Sequence, residues 1–250
     1  MKKLLSLLLL ISFNVSAADD FSAVEAKLKK ALKGPLRTEK GMQRDANRLP
    51  IETLKFFGLR DDMKVLELLP GNGWYTKLLA PVVVEDGELH VALGTKRLSD
   101  TLLGKDGLEF VNLIDTGADI SKKEGDLLYT ITPFEFGEKD FDIVFTFRNY
   151  HNFNLKGRTQ MNKAVFDALK PGGIYAVVDH TRRHMEKIND DNRRRIDPVL
   201  AIKEVLDAGF IFVDYTDLHA RSADKLDLEV GNKDVTGRTD RFTLKFIKPK

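Results

Sequence analysis

The apolar residues of this chain gather into short, nearly unbroken runs, separated by segments in which they recur every three or four positions. Unbroken runs read as strands buried on both faces, the pattern of a parallel sheet sandwiched between helices. The first run is Lys64–Leu68, followed by a helix over 74–83 and a second strand over 87–93. A third strand falls at either 108–114 or 127–131, with the polar stretch 115–125 between them. Phe141–Phe147 predicts a fourth strand and 158–169 a helix. Lys170-Pro171-Gly172-Gly173 then turns the chain into a fifth strand over 174–178. A helix over 199–208 closes at Gly209 and leads to a strand over 210–215, and Arg241–Ile247 alternates in the strand manner.

Ahead of this core the spacing predicts a charged amphipathic helix over 19–33, ended by Gly34-Pro35. The polar segment 37–47 is expected to wrap the domain. A second helix, Pro50–Phe57, has proline at its first position and Gly58 as its stop. The alternation predicts an α/β fold, doubly wound around a mostly parallel seven-stranded sheet. Two late strands joined by the long excursion 216–240 predict an antiparallel C-terminal strand at its edge. The division expected is 1–17 as a leader, 18–62 as an N-terminal helical segment and 63–250 as the main domain.

The first residues have the form of a secretory signal: Lys2 and Lys3, an apolar run from Leu4 to Phe13, and Val15-Ser16-Ala17 as a cleavage site. That run of about ten residues is far short of the roughly 20 that span a bilayer. A periplasmic or secreted protein is expected, without stable membrane insertion after cleavage. Losing Lys2 and Lys3 takes the formal charge from +2 to 0, which argues against a nucleic-acid partner. The 250 residues contain no cysteine, which excludes disulfides, thiol catalysis and thiolate metal sites. No oligomeric state follows from the sequence.

The densest chemistry follows the first strand. Glu67 lies four residues before Gly71, and Gly73 precedes Trp74, Tyr75 and Thr76. A tight glycine turn between strand and helix bares backbone N–H groups and a helix N-terminus to a ligand at the strand's carboxyl end. A dinucleotide fingerprint would need a third glycine, but Thr76 occupies that position, and the acid expected about 20 residues downstream is missing. The fourth strand runs into Arg148-Asn149-Tyr150-His151-Asn152, which should face the same crevice. His151 is the candidate general base, with Asn149 to orient a substrate and Tyr150 to stack. Asp179 and His180 emerge beside them from the fifth strand. His180 and His184 have a chelating spacing, but Arg182 and Arg183 between them oppose a cation, and no metal is expected. The run Arg193-Arg194-Arg195 reads as a solvated face or as a clamp on an anionic substrate.

Glu67, Gly71 and Gly73, with Leu69 where a first glycine is usual, resemble motif I of the class I S-adenosylmethionine-dependent methyltransferases. The Leu-Lys-Pro-Gly-Gly turn at 169–173 resembles the same family. The Pro-Gly-Asn-Gly-Trp-Tyr-Thr loop, the Phe-Arg-Asn-Tyr-His-Asn segment, the Val-Asp-His strand end, and the Arg-Ile-Asp-Pro and Arg-Thr-Asp-Arg-Phe stretches are similar, more narrowly, to the exported predicted methyltransferases of bacteria. The resemblance covers roughly 63–248 and implies a Rossmann-like class I methyltransferase fold with S-adenosyl-L-methionine as cofactor. It implies that Glu67, Gly71, Asn72, Gly73, Tyr75, Thr76 and Arg148 bind that cofactor. Asn149, His151 and His180 would then face a small-molecule acceptor of unidentified structure. The acid that usually ends the second strand and grips the ribose is absent; Leu93, Gly94 and Thr95 stand there. Because S-adenosylmethionine is made in the cytoplasm, an exported non-catalytic small-molecule-binding protein on the same fold is the alternative, and a nicotinamide-dependent oxidoreductase a third.

Overall fold

Runs that are apolar at every position become strands here because helices cover both of their faces. The computed structural model describes residues 21–104 and 107–250. The leader expected over 1–17 lies outside the described residues. Four helices come first: α1 (Ser22–Leu32), α2 (Glu39–Met42), α3 (Asp45–Arg48) and α4 (Pro50–Phe57). The alternating core follows as β1 (Lys64–Leu68), α5 (Thr76–Val83), β2 (Glu88–Ala92), α6 (Lys96–Thr101) and β3 (Asn112–Ile114). A short ribbon, β4 (Ile120–Ser121) and β5 (Thr130–Ile131), precedes β6 (Phe141–Phe147), a 3-10 turn (Tyr150–Asn152), α7 (Leu155–Ala168) and β7 (Leu169–His180). The chain closes with α8 (Pro198–Asp207), β8 (Ile211–Thr216) and β9 (Arg241–Ile247).

Seven strands form one sheet in the order β3-β2-β1-β6-β7-β9-β8. The pairs from β3 to β7 are parallel, and β9 runs antiparallel to both β7 and β8. This is the mostly parallel, doubly wound sheet with an antiparallel end that the apolar runs predict. Alternate residues of each strand feed two apolar layers. Leu66, Val144, Tyr175 and Val177 face α7 and α8, while Val65, Ile143, Phe145 and Ala176 face α1, α4 and α5. The N-terminal segment contributes Val24, Leu28, Leu54 and Phe57 to that second layer, so it packs into the same core as the sheet.

Three boundaries differ from expectation. The third sheet strand is Asn112–Ile114, at the C-terminal end of one of the two expected ranges. Thr130–Ile131, from the other, pairs with Ile120–Ser121 in the separate ribbon. Helix α7 starts at Leu155, earlier than expected, because the Asn154 side chain accepts from the Gly157 N–H at 2.9 Å and caps it. Strand β7 absorbs the 170–173 turn through a register shift opposite Phe141 and Ile143. No helix among the described residues is long and apolar enough to cross a membrane.

Candidate active site

Registry between the parallel strands sets their carboxyl ends level. Leu68 pairs with Ala92 and Thr146, Phe147 with Val178, and His180 with Arg241 of β9. The loops after β1, β2, β6 and β7 therefore leave the sheet along one edge, where open α/β sheets bind ligands.

The loop after β1 is held in left-handed backbone at Leu69 (φ 52°), Gly71 (φ 59°) and Gly73 (φ 68°). Leu69 thus adopts the conformation a glycine takes freely, at a cost of about 1–2 kcal/mol. The two glycines serve different ends. A Cβ on Gly73 would lie 2.5 Å from Leu98 and 2.8 Å from Leu102, so this residue lets the loop pack on α6. A Cβ on Gly71 would meet no atom within 4 Å, so its backbone is open on that side. Glu67 is buried and accepts from the Thr76 hydroxyl at 2.6 Å. Burial pushes its carboxyl up to about 7, against the opposing pull of Thr76 and Arg48. Glu67 and Thr76 together tie strand to helix and brace the loop from beneath.

The aromatic pair that follows packs within the protein. Tyr75 is buried and stacks on Phe147 with ring centres 3.5 Å apart. Trp74 donates to the Gly41 carbonyl at 2.9 Å and lies under Arg48 and Arg37, whose guanidinium carbons stand 4.2 and 4.9 Å from the ring centre. Trp74 thereby anchors the α2–α3 segment over the glycine loop. A groove of about 190 Å³ between them is lined by Asn72, Lys77, Lys40 and Arg44.

The loop after β6 meets this one directly. Arg148 is also left-handed (φ 60°), with its N–H on the Val178 carbonyl at 2.7 Å. The Asn149 side-chain amide donates to the Leu69 carbonyl at 3.1 Å and to Phe147 at 3.0 Å. One side chain thus fastens the two loops together at the carboxyl edge of the sheet.

Beyond it Asp179 divides its oxygens between β7 and the 3-10 turn. It accepts from the His151 backbone N–H at 2.9 Å and the His180 N–H at 2.6 Å, and it engages His151 Nδ1 at 2.5 Å. The two histidine ring centres are 5.6 Å apart, yet they line different spaces. His151 borders a cavity of about 180 Å³ with Arg158, Arg182 and Ile196. His180 borders one of about 460 Å³ with Arg44, Arg48, Arg148 and Arg241. Its Nδ1 sits 2.8 Å from the Thr239 hydroxyl. Burial, followed by the charges of His151, Arg241 and Arg148, holds His180 well below the ordinary histidine range, so it stays neutral at neutral pH.

Several expected groups turn elsewhere. Tyr150 is fully buried and its hydroxyl donates to Glu204 at 2.9 Å, so it does not stack in the crevice. His184 engages Asp197 at 2.9 Å, away from the His180–Thr239 contact, and no metal-ligating group of three His, Cys, Asp or Glu occurs among the described residues. In the arginine run, Arg195 is buried on Asp224 at 2.8 and 3.1 Å and on backbone carbonyls, and Arg194 is held by Glu229. This run is a staple for the 216–240 excursion. The cavity cations that sequence reasoning passed over include Arg48 at the end of α3 and Arg241 at the start of β9.

No family model and no curated protein matches the chain's sequence. Among solved structures it is similar to a SAM-dependent methyltransferase from Aquifex aeolicus, at TM-score 0.55 and 18% identity over 89% of this chain and 97% of that one. It is also similar to the glycopeptide N-methyltransferase MtfA complexed with sinefungin, at TM-score 0.52 and 15% identity over 82% and 94%. The fold is that of the class I methyltransferases. A third similar structure, the [4+2]-cyclase SpnF, has TM-score 0.56 and 15% identity over 92% and 93%, so this fold does not by itself dictate the chemistry.

Proposed function

We propose that this protein transfers a methyl group from S-adenosylmethionine to a small acceptor held at the carboxyl edge of the sheet. The observation that carries the reading is the Asn149–Leu69 hydrogen bond, which joins the loops after β1 and β6 beside the open backbone of Gly71. The residues present suit the cofactor. The free side of Gly71 and the exposed Asn72 offer backbone to its amino-acid end, and Gly94 and Thr95 stand at the end of β2 for its ribose. When bound, it supplies an electrophilic methyl on a sulfonium, already a good leaving group.

The chain's own residues then have positioning tasks. Glu67 and Thr76 brace the loop, and Asn149 sets the spacing between the two halves of the crevice. Holding reactants in line supplies the larger part of such an acceleration. His180 meets the acceptor as a neutral ring, suited to accept a hydrogen bond from an acceptor hydroxyl or amine. His151, oriented by Asp179, stands behind it as a positioning residue. Titration calorimetry with S-adenosylmethionine, S-adenosylhomocysteine and NAD tests the reading. Binding of the first two without NAD is expected; no heat from either adenosyl compound would contradict it.

A further inference from the structure

The cavity of about 460 Å³ beside His180 collects Lys40, Arg44, Arg48, Arg148, Arg194 and Arg241, and among the described residues no acidic one lines it. Glu229 neutralises Arg194 alone. Elsewhere in this chain, buried guanidiniums have carboxylate partners: Arg37 has Asp45, Arg158 has Glu204 and Arg195 has Asp224. That is the general rule for charge inside a protein, because an unpaired buried ion is costly.

Arg48 breaks the rule. It is 4% exposed, and among the described residues its guanidinium has no hydrogen bond and no ion pair, only the faces of Trp74 and Tyr75. Arg241, 5% exposed, reaches among the described residues only the Asn47 and Gly237 carbonyls, and its Nε has no partner there. Arg148 likewise has no carboxylate partner among the described residues. Burial presses all three guanidiniums below their ordinary range, and Arg148 presses further on both Arg48 and Arg241. A guanidinium nevertheless remains charged at neutral pH. Glu67 acts on Arg48, and Asp179 on Arg148 and Arg241, only from a distance; among the described residues the set lacks a carboxylate in contact with it.

We infer that the cavity binds a small molecule carrying more than one negative charge, in phosphate or carboxylate groups, and that this polyanion is the methyl acceptor. The word acceptor rests on the proposed methyl transfer; the anion site stands on the cations themselves. One carboxylate of the cofactor would leave most of the cluster uncompensated, and its sulfonium and ammonium add positive charge. The concave shape and volume suit a small molecule rather than a polymer. Position supports the acceptor role. His180 and Arg241 are register partners, and Lys40 and Arg44 line both this cavity and the groove beside Asn72.

Calorimetric titration of the full chain with pyrophosphate and with citrate tests this, and their relative affinities separate phosphate from carboxylate preference. At least one should bind, with affinity that falls as salt rises. Arg148→Gln and the exposed Arg44→Gln should each weaken it about tenfold or more, whereas Lys203→Gln, on the outer face of α8, should not. Arg44→Gln keeps the test valid even if Arg148→Gln fails to fold. Saturation with S-adenosylhomocysteine should leave anion binding intact. Absence of binding, indifference to both arginine substitutions, or competitive displacement by S-adenosylhomocysteine would each overturn the inference. Anion binding as expected with no S-adenosylhomocysteine binding would instead sink the methyl-transfer reading and leave the anion site standing.

Discussion

Glu67 is a buried acid that favours its proton, and the sign of its effect on stability follows. Its carboxyl rises from 4.5 in the unfolded chain to about 7 in the folded one. Its stabilising share is therefore full below pH 4.5 and is lost as pH climbs through about 7. That shift corresponds to about 3 kcal/mol. Urea titrations of wild type and Glu67→Gln at several pH values should show the glutamine variant gaining on wild type across that window and then running level; a constant gap would refute the assignment. His219 acts oppositely. Burial lowers it from 6.5 to about 4, between Thr243 and the Arg48 carbonyl. Its share is present above pH 6.5 and is lost as pH falls towards 4, so between pH 4.5 and 6.5 the two slopes oppose and these two groups together leave stability nearly flat. Glu67, Gly71 and Gly73 were legible in the sequence because a strand–glycine–helix junction has few uses. The burial of Tyr75 on Phe147 was not, because a stacked aromatic reads alike in a core and on a ligand.

Asn149 and Trp74 join elements, and their removal should loosen elements. Asn149→Ala deletes the bond from the β6 loop to Leu69 and leaves that carbonyl short of a donor, which should cost about 1–2 kcal/mol. It should weaken S-adenosylhomocysteine binding more than it lowers the melting temperature would suggest; unchanged affinity would remove Asn149 from the crevice. Trp74→Phe keeps an aromatic face for Arg48 but loses the N–H bond to Gly41. Hydrogen exchange should then quicken over 38–48 while β1 and β6 stay protected, and an unaltered pattern would show that Trp74 does not anchor α2. The strands Lys64–Leu68 and Phe141–Phe147 could be read off directly because their burial is continuous or nearly so, and Arg241–Ile247 because its residues alternate. Strand β3 fell between two candidate ranges: it is an edge of three residues whose Asn112 and Leu113 are exposed, so no buried run fixes its bounds.

Across the whole molecule, the alternation of runs carried the topology, and the excursion before β9 carried the antiparallel edge. The charge of the crevice was hidden. Its guanidiniums without a carboxylate partner among the described residues come from Arg44 and Arg48 around α3, Arg148 after β6 and Arg241 at the start of β9, and only folding brings them together. The conspicuous run at 193–195 drew the eye instead, although Asp224 and Glu229 neutralise two of its members. The most direct measurement is an experimental structure of the protein with S-adenosylhomocysteine. The ligand should lie along the sheet edge with its amino-acid end at the Gly71–Asn72 backbone and its sulfur towards Asn149 and His180. A ligand bound away from the β1 and β6 loops, or none at saturating concentration, would contradict the proposed site.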